Sequence, residues 1–196
     1  MIRIHTMPLG LYQTNCYIVH DSSSKKCIVI DPGYEAHTIL DTLEDLGLEM
    51  EAILLTHGHF DHVGAVRDLV ATTGCRVFLR AEETTMPHQM TTGPLYYSDS
   101  YPTEGKLQVA DIDILVMHTP GHTPGSVCLL IEDAMFSGDT LFAGSMGRCD
   151  FPGSSIFDMR KSLRKLCALT KNYRVFPGHG ENSTLDHEKK TNPYLR

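Results

Sequence analysis

The chain has 196 residues, 41% of them hydrophobic and 21% charged, with a net charge of −7. That length suits one domain with a proper core. The composition excludes a disordered polymer, and the scattered lysines and arginines of an acidic chain offer no footprint for nucleic acid. No apolar run reaches the ~18 residues that span a bilayer, and the first ten residues lack a basic segment followed by a long apolar one. Neither membrane nor export is expected, and the reading is cytoplasmic. The six cysteines (16, 27, 75, 128, 149 and 167) include no close pair, which argues against a zinc ribbon or a redox couple. The eleven histidines are many for this size, and several cluster.

Along the chain, Asn15 to His20 and Lys26 to Asp31 read as a β-hairpin, stopped by Asp31-Pro32-Gly33. Ile39, Leu40, Leu43 and Leu46 recur at helical spacing between Glu35 and Leu48, so this segment is an amphipathic helix. Ala52 to Thr56 reads as a strand buried on both faces. A second helix is expected from Asp61 to a C-cap at Gly74, carrying Val63, Val66, Leu69 and Val70 inward, followed by a strand over Arg76 to Leu79. Ala81 to Gly105 has weak periodicity and reads as a partly helical surface insertion, in which Met90, Tyr96, Tyr97 and Tyr101 are placed to roof a site. Strands follow at Ile112 to His118, Ser126 to Ile131 and Ala134 to Ser137. A helix over Ser155 to Leu169 shows Ile156, Met159, Leu163, Leu166 and Cys167 on one face. A last strand, Tyr173 to Phe176, precedes a short polar helix ending at Lys190. Alternating strands and helices with hairpins mixed in indicate an α/β layered domain.

The densest chemistry lies in Thr56-His57-Gly58-His59-Phe60-Asp61-His62, where three imidazoles and a carboxylate follow a buried strand. Imidazole nitrogen and carboxylate oxygen suit borderline divalent ions such as Zn²⁺. His57 and His59, two apart on an extended segment, can share one ion. Asp61 and His62, at the mouth of the next helix, suit a second. Four donors in one loop cannot close two sites. His122, Asp139 and His179 each follow another predicted strand, and strand ends along one sheet edge are where open α/β folds place their sites. Thr56-His57-Gly58-His59, Thr119-Pro120-Gly121-His122 and Pro177-Gly178-His179 form a faint internal echo, consistent with two similar halves.

On these motifs the chain resembles the metallo-β-lactamase superfamily, and within it glyoxalase II, the hydroxyacylglutathione hydrolases. The resemblance runs from Thr14-Asn15-Cys16-Tyr17 and Asp31-Pro32-Gly33 to Pro177-Gly178-His179-Gly180. It implies an α/β fold, a four-layer αββα sandwich, as a single hydrolase domain over residues 1–196. It also implies that His57, His59 and His122 hold one metal ion, that Asp61, His62 and His179 hold a second, and that Asp139 bridges them. The implied ions are two divalent cations, zinc first, with iron or manganese as alternatives. The form is compact, since only a short tail follows Gly180 where glyoxalase II has a C-terminal helical domain. Where that family sets a Lys and a Tyr against glutathione, this chain has Gly147-Arg148-Cys149-Asp150, which keeps the cation and makes Arg148 a substrate-binding candidate.

The expected activity is hydrolysis of a thioester, such as S-lactoylglutathione or a related acyl-thiol, by a metal-held hydroxide that Asp61 aims. Two divalent ions outweigh two aspartates and a hydroxide, so a small anionic substrate is drawn in, a glutathione thioester being one candidate. A thiolate, with a parent pKa of ~8.5, leaves without a dedicated acid. The rivals are a sulfur (persulfide) dioxygenase using one iron, a lactonase, and a non-catalytic module with structural metals. A β-lactamase is disfavoured because those enzymes act outside the cytoplasm and often carry Cys at the Asp139 position. The oligomeric state is not legible.

Overall fold

Strand β2 (Thr14–Asp21) sends Tyr17 and Val19 to one face and Cys16 and Ile18 to the other, and all four are buried. A strand apolar on both faces requires cover on both sides. The computed structural model supplies it over residues 1–91, 93–102 and 105–195, with Thr92, Thr103 and Glu104 of the expected insertion, and Arg196, outside the described residues.

The first sheet runs β1 (Ile2–Leu9), β2, β3 (Lys26–Ile30), β4 (Glu49–Leu54), β5 (Arg76–Leu79) and β6 (Asp99–Ser100) in sequence order. Its first three strands are antiparallel and its last four parallel, β3 belonging to both runs. The parallel crossovers carry helices α1 (Ala36–Leu46), α2 (Phe60–Val63) and α3 (Val66–Thr73), then α4 (His88–Thr91) after β5. The second sheet is built from β7 (Gly105–Val109), β8 (Ile112–His118), β9 (Val127–Ile131), β10 (Ala134–Gly138), β13 (Arg174–Pro177) and β14 (Ser183–Thr184), in the order β14-β13-β10-β9-β8-β7. A two-stranded ribbon, β11 (Leu141–Phe142) with β12 (Ser145–Met146), and helices α5 (Ile156–Cys167) and α6 (Leu185–Thr191) complete it.

Three apolar layers define the sandwich. Between the sheets, Tyr17, Val19, Ile28, Ile30 and Leu54 face Val116, Leu129, Ile131, Phe136 and Phe176. Outside the first sheet, Ile18, Val29, Ile53 and Val77 meet Ile39 and Leu43 of α1 and Val66 and Leu69 of α3. Outside the second, Cys128, Leu130, Met135 and Val175 meet Met159, Leu163 and Leu166 of α5 and Leu185 of α6. Each fully buried Leu or Ile contributes roughly 1.5–3 kcal/mol, so these faces fix which side of each helix turns inward. The order is helix, sheet, sheet, helix, as the resemblance implies. Among the described residues no helix is long and apolar enough to cross a membrane, and the six cysteines are free.

Several expectations are corrected. Strands β1 and β7 are absent from the sequence reading: β1 is an edge strand with mostly half-buried or exposed residues and a proline, and β7, whose burial alternates along Lys106-Leu107-Gln108-Val109, is likewise an edge. The expected helix from Asp61 to Gly74 is broken at Gly64–Ala65 into α2 and α3, although Gly74 caps it as anticipated, at φ 67°. Leu46 and Ile156, assigned inward, are exposed at the ends of their helices. Within the insertion, Tyr101 stacks on Phe78 between the sheets, while Tyr96 lies beside Arg67. Tyr97 packs with the outer layer of the first sheet, and of the four named roof residues only Met90 reaches the site.

Candidate metal centre

The loops leaving β4, β8, β10 and β13 converge at one edge of the sandwich, and the two sheets are tied together there. Val127 N donates to Thr56 O at 2.9 Å and Asn15 N to Gly178 O at 2.8 Å. Asn15 Nδ2 donates to the Pro177 and Gly180 carbonyls, both at 3.0 Å, and the buried Tyr17 hydroxyl donates to Pro177 O at 2.6 Å. The Thr14-Asn15-Cys16-Tyr17 segment thus anchors the turn that bears His179.

All seven expected donors meet at this edge. His57, His59 and His122 present ligand atoms within 4.8 Å of one another, as do Asp61, His62 and His179. Asp139 lies between the sets, with Oδ2 3.3 Å from His122 Nε2 and Oδ1 3.4 Å from His62 Nε2. Further separations are 2.9 Å for His122 Nε2 to His59 Nδ1, 3.4 Å for His62 Nε2 to His179 Nε2, and 3.2 Å for His179 Nε2 to Asp61 Oδ2. These are the distances expected of donors grouped around ions at ~2.0–2.2 Å. Space at the edge is tight: a Cβ on Gly178 would stand 2.2 Å from Asp139 Oδ1 and 2.7 Å from His62 Cε1, so only glycine fits there.

Among the described residues the buried side-chain atoms without a hydrogen-bond partner include His57 Nε2, His59 Nε2 and Asp139 Oδ1. An orphaned buried donor or acceptor is costly, and three in one cluster of ligand residues is what a cation would satisfy. The donor set therefore fits divalent ions. Burial, with the neighbouring imidazoles, holds His57 well below the ordinary histidine range. Burial and His122 push His59 down to about 3. Burial acts the same way on His62 and His179 but is overcome, for His62 by Asp139 and Asp31 and for His179 by Asp61 and Asp139, so both are raised. Asp61 and Asp139 are lowered, because the facing imidazoles outweigh the burial that opposes them.

Residues outside the expected donor set hold the donors in place. Asp31, buried after β3, accepts from Thr56 N at 2.7 Å and Thr56 Oγ1 at 2.6 Å, and lies 3.0 Å from His62 Nδ1. Carboxylate pairing of this kind fixes a histidine so that its other nitrogen faces the ion. His122 Nδ1 lies 2.8 Å from Arg148 O, and His179 Nδ1 3.2 Å from Tyr12 O. Thr14 Oγ1 donates to Asp61 Oδ2 at 3.2 Å. Glu83, on a 3-10 turn over residues 81–85, is fully buried and pushed up to about 7 by that burial. Asp31 carried a sequence signal, an aspartate directly after an apolar strand as at Asp139. Glu83 carried none.

A cavity of about 570 Å³ opens onto the centre, walled by Tyr12, Phe60, Met90, Phe142 and Phe151. Arg148 lines it too, with its guanidinium 4.2 Å above the Phe151 ring and bound through Nε and Nη2 to Asp150 at 2.9 and 2.8 Å. Arg148 thus stands at the mouth of the cavity, exposed and already paired.

The comparisons agree with this architecture. A hydroxyacylglutathione hydrolase, GloC, of Haemophilus influenzae is 33% identical over 209 residues, covering 99% of this chain and 98% of the relative. The crystal structure of BLEG-1, a B3 metallo-beta-lactamase, superposes with a TM-score of 0.88 at 34% identity, covering 100% of this chain and 99% of that one. A di-iron-bound form of TTHA1623 superposes with a TM-score of 0.83 at 36% identity, covering 97% and 99%. The family model for the metallo-beta-lactamase superfamily matches residues 9–179, an interval that contains every donor described above. With the sandwich, the converging donors and this match in hand, the chain belongs to the metallo-beta-lactamase superfamily.

Proposed function

We propose that the protein is a two-metal hydrolase that cleaves thioesters. His57, His59 and His122 would hold one ion and Asp61, His62 and His179 the other, with Asp139 placed to serve both. The observation that carries this reading is the meeting of six donors in two adjacent sets with Asp139 between them, and with unpartnered atoms of His57, His59 and Asp139 buried there. A one-iron dioxygenase needs fewer of these donors, and a structural site would be closed by four ligands rather than opened onto a cavity. When bound, divalent ions supply Lewis acidity that polarises a carbonyl and acidifies a water.

The chain's own residues do the rest. Asp61, kept ionised by His179 and His62 and oriented by Thr14, accepts a hydrogen bond from the attacking water and aims it at the carbonyl carbon. Tyr12, Phe60, Met90, Phe142 and Phe151 give an acyl group an apolar wall and exclude bulk water. Arg148, at the rim, contacts a carboxylate on the distal part of the substrate. The expelled thiolate, with a parent pKa of ~8.5, departs without a proton donor, which is why a thioester suits the site better than an amide. The likeness to a hydroxyacylglutathione hydrolase supports the same substrate class. The donors suit zinc, and the di-iron form of a relative makes iron the alternative.

The test is turnover by metal-quantified protein against S-lactoylglutathione, simpler acyl thioesters, a lactone, a β-lactam and glutathione persulfide. Two ions per chain and fastest turnover of a thioester are expected. One iron per chain with oxygen uptake on the persulfide, or preference for the β-lactam, would replace the reading.

A further inference from the structure

Glu83 is a buried carboxylate that plays no part in the chemistry above, and its two oxygens reach different loops. Oε2 accepts from Gly58 N at 2.6 Å and Oε1 accepts from Gly125 N at 2.5 Å. Gly58 lies between His57 and His59 on the loop leaving β4, in the first sheet. Gly125 lies three residues beyond His122 on the loop leaving β8, in the second. One buried side chain therefore spans the two loops that supply the first donor set, and neither loop contacts it through a donor residue. A backbone link from Val127 N, at the start of β9, to Thr56 O also ties the two sheets here. The second donor set, Asp61, His62 and His179, has separate braces in Thr14, Asp31 and the Tyr12 carbonyl.

Burying a carboxylate is unfavourable unless its oxygens are satisfied, and a neutral residue could fill the same space at less cost. What a carboxylate adds is two acceptors at fixed separation, able to hold two amides whose loops come from different sheets. We propose that Glu83 is a positioning residue for the first donor set: by gripping the amides of Gly58 and Gly125 it fixes the distance between the His57–His59 loop and His122, and its loss loosens ion binding there while sparing Asp61, His62 and His179. The inference rests on the two-ion reading above.

Glu83→Gln tests it, because glutamine keeps the volume and one acceptor but turns an NH₂ group toward a backbone N–H. Metal-free wild type and variant are titrated with Co²⁺ against a competing chelator and followed by visible absorption. His122→Ala and His179→Ala provide the signatures of losing the first or the second set. Wild type is expected to take up two ions, and the variant to bind the first-set ion ~10–100-fold more weakly, as is typical when the partner that orients a ligand is lost, with the second-set step unmoved. Unaltered affinity at both steps, or equal weakening of both, overturns the clamp and leaves the two-ion reading standing. A wild type that takes up no ion ends both. A readout that needs no variant is amide exchange in the metal-free wild type. Gly58 and Gly125 N–H should be protected like neighbouring strand amides, and exchange of either at the rate of an open loop overturns the clamp.

Discussion

The loop leaving β4 and the loops leaving β8, β10 and β13 reach the same centre by different means. The first packs His57, His59, Asp61 and His62 into six residues and is braced by side chains: Asp31 on Thr56 and His62, Thr14 on Asp61, Glu83 on Gly58. The others bring one donor each, and their histidines are set by main-chain carbonyls, Arg148 O for His122 and Tyr12 O for His179. A side-chain brace can be removed by one substitution, whereas a carbonyl brace cannot. The first-half donors should therefore be sensitive to the side chains that touch them, and the rings of the second-half histidines indifferent to the identity of the residues whose carbonyls they meet, although the loops bearing them are held by Glu83 on Gly125 and by Asn15 and Tyr17 on the turn of His179.

The largest expected effect comes from within the dense loop. Asp61→Ala removes the group that aims the attacking water, and thioester turnover should fall by ~10²–10⁴-fold. The fold should be largely intact, since Asp61 lies on a four-residue helix at the sheet edge and not in an apolar layer. Steady-state kinetics on variant protein, with metal content and melting temperature measured alongside, check this. Wild-type turnover by a fully metallated variant would remove Asp61 from the mechanism.

An intermediate effect separates the two kinds of brace. Asp31→Asn leaves His62 without its carboxylate partner, and affinity at the second donor set should drop by ~10–100-fold. The matching change in the other half is Arg148→Ala, which deletes the side chain but keeps the carbonyl that orients His122, so metal affinity should be unchanged. Chelator competition on both variants reads the contrast directly. Equal losses in the two would mean that the nature of the brace does not matter.

The same contrast explains what could be read from the chain before folding. The dense loop announces itself, because adjacency puts four donors in register at a strand end. His122, Asp139 and His179 were legible only as a set, since each alone resembles an ordinary turn residue, and their common position after a strand gave them away. Helices with a strong apolar stripe, α1 and α5, and the strands buried on both faces were also plain. Edge strands β1 and β7 were not, although β7 alternates in both residue type and burial, because each is mostly half-buried or exposed and offers no continuous apolar run. Glu83 was invisible for a further reason: its importance lies in two backbone amides 67 residues apart in sequence, Gly58 and Gly125, and main-chain groups leave no trace in residue identity.

The smallest effect concerns the cavity mouth, where the main chain and side chain of Arg148 do different things. Its carbonyl braces His122, while its guanidinium lies on Phe151 and is held along its Nε–Nη2 edge by Asp150. A substrate carboxylate must compete with Asp150 for that guanidinium. Arg148 and Asp150 are each two-thirds exposed, and exposed pairs are weak, so the competition is mild. Asp150→Ala should raise kcat/KM for a thioester bearing a carboxylate by up to about five-fold. Turnover of an uncharged thioester should stay where it was, because the apolar wall and the donors are untouched. Added salt should shrink the gain, as it screens an exposed charge. If the uncharged substrate gains equally, Asp150 acts by narrowing the mouth and Arg148 is not the contact. If neither gains, the guanidinium serves only to cover Phe151, and the substrate's charge is read by the metal centre alone.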